Sequence, residues 1–317
     1  MSDSTSNLNN SLAFIFPGQG SQSLEMLSSY AETPAVIQTF ERASDAIGYD
    51  LWNLCQEGPV EALNETDRTQ PALLTASVAL WNHWKTIGPM PRIMAGHSLG
   101  EYSALVCAGI LDFETAVKLV ERRGQLMKQA VPAGIGKMAA IIGLDNDKIQ
   151  LACEESAKGQ VVSPVNYNSP GQTVIAGNAE AVERAMNACK EAGAKRALPL
   201  AVSVPSHCML MKSASDELFN ELSNISLKQS DIKVINNVDV KIETSAENIK
   251  DALVRQLYCP VNWFESVELM VKGRIDTLVE CGPGKVLSGL SRRIDRSINS
   301  LALQDLNSLN QSVESFN

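Results

Sequence analysis

The chain has 317 residues, 44% of them hydrophobic and 20% charged, with a net charge of -9. That is the composition of a folded protein of one enlarged domain or two, since a disordered chain is poorer in apolar residues. The acidic balance excludes nonspecific nucleic-acid binding, which needs clustered Lys and Arg, and no apolar run reaches the ~20 residues of a membrane span.

Residues 1–10 are polar, lack the basic start and apolar middle of a secretory signal, and are expected to be a disordered terminus. Leu12 to Phe16 reads as a short buried strand that ends in the tight turn Pro17-Gly18-Gln19-Gly20-Ser21. Pro71 to Trp81 is the longest apolar run, and it is broken by Thr75 and Ser77. Ile93 to Ala95 is a second strand, running directly into Gly96-His97-Ser98-Leu99-Gly100 and then a helix from Glu101 to about Ala108. Strand, sharp turn and helix make an α/β unit.

In a helix from Phe113 to Met127, Phe113, Ala116, Val117, Val120, Gly124 and Met127 form one stripe, with Arg123 inside it and Arg122 outside. A different rhythm follows. Met138 to Ile142, Gln160 to Tyr167, Thr173 to Ala176 and Lys195 to Leu200 read as strands, and Asn146 to Ser156 and Glu180 to Ala192 as helices. The order βαββαβ is the ferredoxin-like pattern. Gly134, Gly136 and Pro205 mark its ends, dividing the chain into a discontinuous core, 1–134 and 203–317, and a subdomain, 135–202. Thr277 to Glu280 is a further strand before Gly282-Pro283-Gly284, and the Ser- and Asn-rich tail 307–317 is expected to be disordered. Seven scattered cysteines with no C-x-x-C pair suit reduced thiols of a cytoplasmic protein, without a disulfide framework or metal site.

Gly96-His97-Ser98-Leu99-Gly100 matches G-x-S-x-G, whose glycines permit a strained turn that lifts a serine hydroxyl above a sheet. The following helix aims its N-terminus at that point, and the Leu99 N–H can stabilise an oxyanion. A serine nucleophile needs a base, and three histidines are present. His97 adjoins the serine on a sharp turn and is expected to pack or hydrogen-bond locally; His83 lies in a helical segment and reads as surface. His207, in Val204-Pro205-Ser206-His207-Cys208, is the choice for the base. Cys208 beside it reads as a small buried hydrophobe. An inward Arg123 must find a carboxylate, either an internal Asp or Glu or the acid group of a substrate held by its planar fork.

These blocks, with Phe16-Pro17-Gly18-Gln19-Gly20-Ser21-Gln22, Gly100-Glu101-Tyr102-Ser103-Ala104, Asn166-Tyr167-Asn168-Ser169-Pro170-Gly171-Gln172, Pro205-Ser206-His207 and Gly282-Pro283-Gly284, resemble the malonyl-CoA:acyl carrier protein transacylase family. The likeness runs from about Leu12 to Leu303. It implies an α/β-hydrolase-like core with a mostly parallel sheet and an inserted ferredoxin-like subdomain. It also implies transfer of malonyl from a coenzyme A thioester to acyl carrier protein through Ser98, with His207 as base.

The resemblance further assigns the oxyanion hole to the N–H groups of Gln19 and Leu99, with Gln19 also at the substrate, and the malonyl carboxylate to Arg123. The backbone carbonyl of Gln256 would orient His207. Malonyl-CoA is then a substrate, no permanent cofactor is implied, and a monomer is expected. One departure is Glu25 where the family has Gly before Met26; a glycine there is read as helping a helix pack. A serine thioesterase would share the nucleophile, the base and the oxyanion hole but gains nothing from Arg123. Lys190, Lys195, Arg196, Lys285, Arg292 and Arg293 are candidate contacts for an acidic carrier protein.

Overall fold

The computed structural model describes residues 8–202 and 204–316. Its strands are β1 (Leu8–Phe16), β2 (Met90–Gly96), β3 (Gly136–Ile142), β4 (Val162–Ser169), β5 (Gln172–Asn178), β6 (Arg196–Pro199), β7 (Lys233–Ile235), β8 (Thr277–Glu280) and β9 (Asn299–Ala302). They make two sheets. One has the order β7-β2-β1-β8-β9 with every pair parallel. The other, β4-β5-β3-β6, is antiparallel and has the strand order of the ferredoxin-like pattern.

Period-two patterning makes β1 the centre of the first sheet. Leu12, Phe14 and Phe16 enter the core on one face, and Ala13 and Ile15 the core on the other, all fully buried. Burying a side chain such as Phe14 stabilises the fold by about 1.5–3 kcal/mol. Phe14 also meets Trp81 and Trp84 edge-on, at 5.1 and 5.2 Å. A sheet buried on both faces puts its chemistry at the carboxyl ends of its strands. There the turn after β1 lies beside the turn after β2: Phe16 pairs with Gly96, and the His97 N–H donates to the Phe16 carbonyl at 2.9 Å.

The second sheet is stitched to the first layer where the Val261 N–H donates to Val165 and the Tyr167 N–H donates to Val261, at 2.9 and 3.0 Å. Gly136 opens β3 against the ring of Pro205, so little more than a hydrogen fits between the subdomain's first strand and the loop that carries His207.

Three expectations need correction. Residues 8–10 belong to β1, while residues 1–7 lie outside the described residues. The tail is ordered: a helix spans Leu306–Glu314, capped by Asp305, which accepts from the Ser308 N–H at 2.8 Å. Leu306, Leu309 and Val313, at helical spacing, pack on the main core, and those three apolar positions were hidden by the polar composition around them. Glu25 is not in a helix; its φ of 60° lies in the left-handed region that glycine occupies without strain, so backbone freedom, and not helix packing, is what a glycine would supply. Among the described residues, no helix is long and apolar enough to cross a membrane.

Candidate active site

Ser98 stands on the turn between β2 and the helix Leu99–Cys107, at φ 54° and ψ -108°, a conformation costly for a residue with a Cβ. The two glycines of the motif explain how the turn closes. A Cβ on Gly96 would strike the Gly100 backbone, and one on Gly100 would strike the Phe16 carbonyl. Ser98 precedes the helix as its N-cap, yet its hydroxyl makes no capping bond. Instead its Oγ lies 2.8 Å from His207 Nε2.

This histidine is fixed from behind. His207 is 3% exposed, and its Nδ1 lies 2.6 Å from the backbone carbonyl of Gln256. A carbonyl only accepts, so Nδ1 carries the proton; in the neutral ring Nε2 is then the acceptor for the Ser98 hydroxyl. Burial pushes the imidazole pKa down to about 3, helped by the nearby Arg123 charge and opposed by the Gln256 hydrogen bond. His207 is therefore neutral at physiological pH, with Nε2 open to accept a proton.

Arg123 comes from the buried stripe of the helix Phe113–Ala130, while Arg122 points outward to Glu221 at 2.9 Å. Gly124 lets this helix press on the helix Thr66–Trp84: a Cβ there would lie 2.5 Å from Asp67 Cα. That approach brings Gln70 to the guanidinium. Arg123 is 2% exposed and donates from Nη1 to Gln70 Oε1 at 2.7 Å, and from Nη2 to Gln256 Oε1 at 3.0 Å and to Ser98 Oγ at 3.4 Å. The Tyr102 ring lies 5.4 Å from it. No carboxylate forms an ion pair with Arg123 among the described residues, and its Nε has no partner. An internal Asp or Glu, one of the two partners the sequence left open, is thus replaced by neutral amides.

Gln19, Ser98, Leu99, Arg123 and His207 line a single cavity of about 100 Å³, with Met127, Met138, Leu200 and Val202 among its apolar walls. Pockets that hold drug-sized ligands start near ~300 Å³, so this one suits a short acyl group. The amides of Gln19 and Leu99 make no hydrogen bond among the described residues, which leaves both N–H groups as donors for an oxyanion at the helix N-terminus. The Gln19 side chain is pinned by Thr66, whose hydroxyl donates to Oε1 at 2.9 Å. Together these groups can take a proton from a serine, stabilise a tetrahedral oxyanion and attract a carboxylate.

The acyl transferase domain family matches residues 13–301 of the chain. A malonyl CoA-acyl carrier protein transacylase of Salmonella typhimurium is 62% identical over 295 residues, covering 92% of this chain and 96% of the relative. The chain belongs to the malonyl CoA-acyl carrier protein transacylase family. The family member of Bacillus subtilis is 43% identical across 96% of this chain and 97% of its own length. The solved acyl carrier protein S-malonyltransferase of Vibrio cholerae superposes with a TM-score of 0.93 at 60% identity, covering 95% and 99% of the two chains. A malonyl-transacylase solved in complex with a type II PKS acyl-carrier protein gives 0.95 at 59% identity, covering 96% and 99%.

Four residues of this transacylase site escaped sequence reasoning as participants. Asn237 is 1% exposed; its Oδ1 accepts the Ser98 N–H at 2.7 Å and its Nδ2 donates to the Gly96 carbonyl at 2.6 Å, which clamps the strained turn on both sides. Gln70 and Glu101 join the arginine network. Asn168 lies 2.9 Å from His97 Nε2, so that histidine, expected to pack or bond locally, packs beside the Trp263 ring at 5.8 Å and also reaches across to the second sheet. His83, read as surface, sits in the last turn of its helix beside Tyr30, at 6.4 Å between rings.

Proposed function

We propose that this chain transfers a malonyl group from coenzyme A to the phosphopantetheine thiol of acyl carrier protein through an ester on Ser98, supplying the extender unit of fatty-acid synthesis. Ser98 Oγ attacks the thioester carbonyl while its proton passes to His207 Nε2, and the oxyanion rests on the N–H groups of Gln19 and Leu99. The tetrahedral species collapses, the C–S bond breaks, and CoA departs with the proton from His207. The carrier thiol then gives its proton to His207 and attacks the ester, and Ser98 regains that proton as it leaves. Every step balances on protein and substrate groups, with malonyl-CoA as substrate and no permanent cofactor.

The observation that carries the malonyl assignment is Arg123, buried to 2% in the acyl cavity with no carboxylate in direct contact. A buried guanidinium left without an opposite charge is costly, and a substrate carboxylate relieves that cost. An esterase pocket has no use for such an arrangement. The reading includes a monomeric, cytoplasmic enzyme in which residues 135–202 form the subdomain that closes the cavity. The acidic carrier docks on exposed basic residues; Lys190, Lys195, Arg196, Lys285, Arg292 and Arg293 are all exposed.

The test mixes enzyme and malonyl-CoA with and without holo carrier protein and follows malonyl-carrier and free malonate by mass spectrometry. Transfer to the carrier with slow malonate release in its absence supports the reading. Malonate release at the same rate with or without carrier contradicts it and favours a thioesterase.

A further inference from the structure

Glu101, in the first turn of the helix Leu99–Cys107, is 2% exposed and outside the proton relay described above. Its Oε2 accepts from the Asn237 N–H at 3.0 Å and from Gln256 Nε2 at 2.7 Å. The other end of the same amide, Gln256 Oε1, accepts from Arg123. One neutral side chain thus bridges this buried acid to the cation in the acyl cavity, and the two charges attract through it.

Glu101 lines a space of about 10 Å³ with Asn236, Glu243, Ile110 and Ile249, none of which lines the acyl cavity. That is the order of the ~10–15 Å³ needed by one water. Asn236 Nδ2 is buried and has no protein partner. Ile110, Val234, Glu243 and Ile249 of this space also line an open cleft of about 250 Å³. Neither of these spaces shares a lining residue with the acyl cavity, so Glu101 borders a separate space of its own.

We propose that Glu101 is a positioning residue for acyl selectivity: through Gln256 its charged form holds the Arg123 guanidinium to the protein, and its uncharged form releases it to the substrate carboxylate. The inference rests on Arg123 being the malonyl clamp. Burial pushes the Glu101 carboxyl up to about 7, against the pull of its hydrogen bonds and of Arg123. The sign follows: above about 7 the acid is charged and Arg123 is partly neutralised, whereas below it the full cation faces the cavity.

The other groups facing this network are Tyr102 on the same helix, His97 and His207, Asp239 after β7, Arg255 from the helix Ala246–Gln256, and Glu243 at the small space beside Glu101. Of these, His207 is pushed down to about 3 and Tyr102 up to about 12. Arg255 grips Asp239 through two bonds at 2.9 and 2.7 Å and holds its carboxyl below the usual range.

The test measures KM for malonyl-CoA and acetyl-CoA between pH 6 and 8, in wild type and in Glu101→Gln, with the acyl-enzyme weighed intact at each pH. Gln keeps an acceptor for Asn237 and Gln256 but carries no charge. The wild-type malonyl KM should rise roughly five-fold or more across this range, the size of an ordinary coupling between sites. The acetyl KM should stay flat, and Glu101→Gln should hold the low-pH malonyl value throughout. A merely structural Glu101 would move both substrates together. A flat wild-type malonyl KM, or an unchanged slope in Glu101→Gln, overturns the inference while a malonyl adduct keeps the transfer reading intact; the wild-type profile decides even if the variant does not fold. No adduct at any pH overturns both.

Discussion

A cleft of about 770 Å³ lies between the helices Pro34–Ile47 and Leu51–Glu57, while the cavity at Ser98 measures about 100 Å³. The larger space has aromatic walls in Phe40 and Trp52 and acids in Glu41, Asp45 and Asp50, but its lining has no histidine and no cation, and its one serine, Ser44, spends its hydroxyl on the backbone of Phe40 and Leu51. The smaller one holds Ser98 and His207, both at positive φ, hydrogen-bonded to each other and backed by an arginine that no carboxylate touches directly. Volume therefore does not locate the chemistry here. What does is the convergence of polar groups whose burial and backbone strain are costly unless they act together.

The sharpest way to break this contrast is Ser98→Ala, which should lower malonyl transfer by a factor of about 10⁴–10⁶; residual activity near wild type would move the nucleophile elsewhere. Arg123→Ala should reduce the preference for malonyl over acetyl by a factor on the order of 10⁴, read from the two kcat/KM values. A general loss shared by both substrates would instead make Arg123 a structural residue. His207→Ala should cost about 10²–10⁴ in kcat, the usual worth of a positioned general base.

Charge reversal of Lys195 and Arg196, exposed on and beside β6, should raise KM for the carrier protein by roughly ten-fold or less at low salt and leave KM for malonyl-CoA unchanged. An unchanged carrier KM removes them from the docking surface. In the larger cleft, Ile37→Ser alters an exposed position and should leave kcat/KM within about two-fold, since surface changes rarely exceed about 0.5 kcal/mol. A large loss there would give that cleft a part in the reaction.

Much of the small cavity was legible because its residues sit in local patterns. Gly96 and Gly100 bracket Ser98 at fixed spacing, and helical periodicity separated the inward Arg123 from the outward Arg122, which the structure pairs with Glu221 at the surface. β1, β2, β8 and the four strands of the second sheet followed from apolar runs punctuated by glycine and proline, whereas the short edge strands β7 and β9, three and four residues long, were not read. Asn237, Gln70 and Asn168 were not legible, because an amide carries no pattern of its own and acts here across long separations: Asn237 meets Ser98 139 positions away, and Asn168 meets His97 71 positions away. Glu101 was visible as a letter of the motif, yet its role depends on burial and on Gln256, 155 positions on. The tail helix was missed for a related reason: its cap and its three apolar contacts are long-range packing facts within a polar composition.

The most direct measurement weighs the intact protein after brief mixing with malonyl-CoA or acetyl-CoA, in wild type, Ser98→Ala and Arg123→Ala. One malonyl adduct on wild type, absent from Ser98→Ala and weakened or exchanged for acetyl in Arg123→Ala, is the predicted result. A malonyl adduct that survives in Ser98→Ala, or no adduct on wild type with CoA released steadily into solution, would contradict a covalent transfer through Ser98.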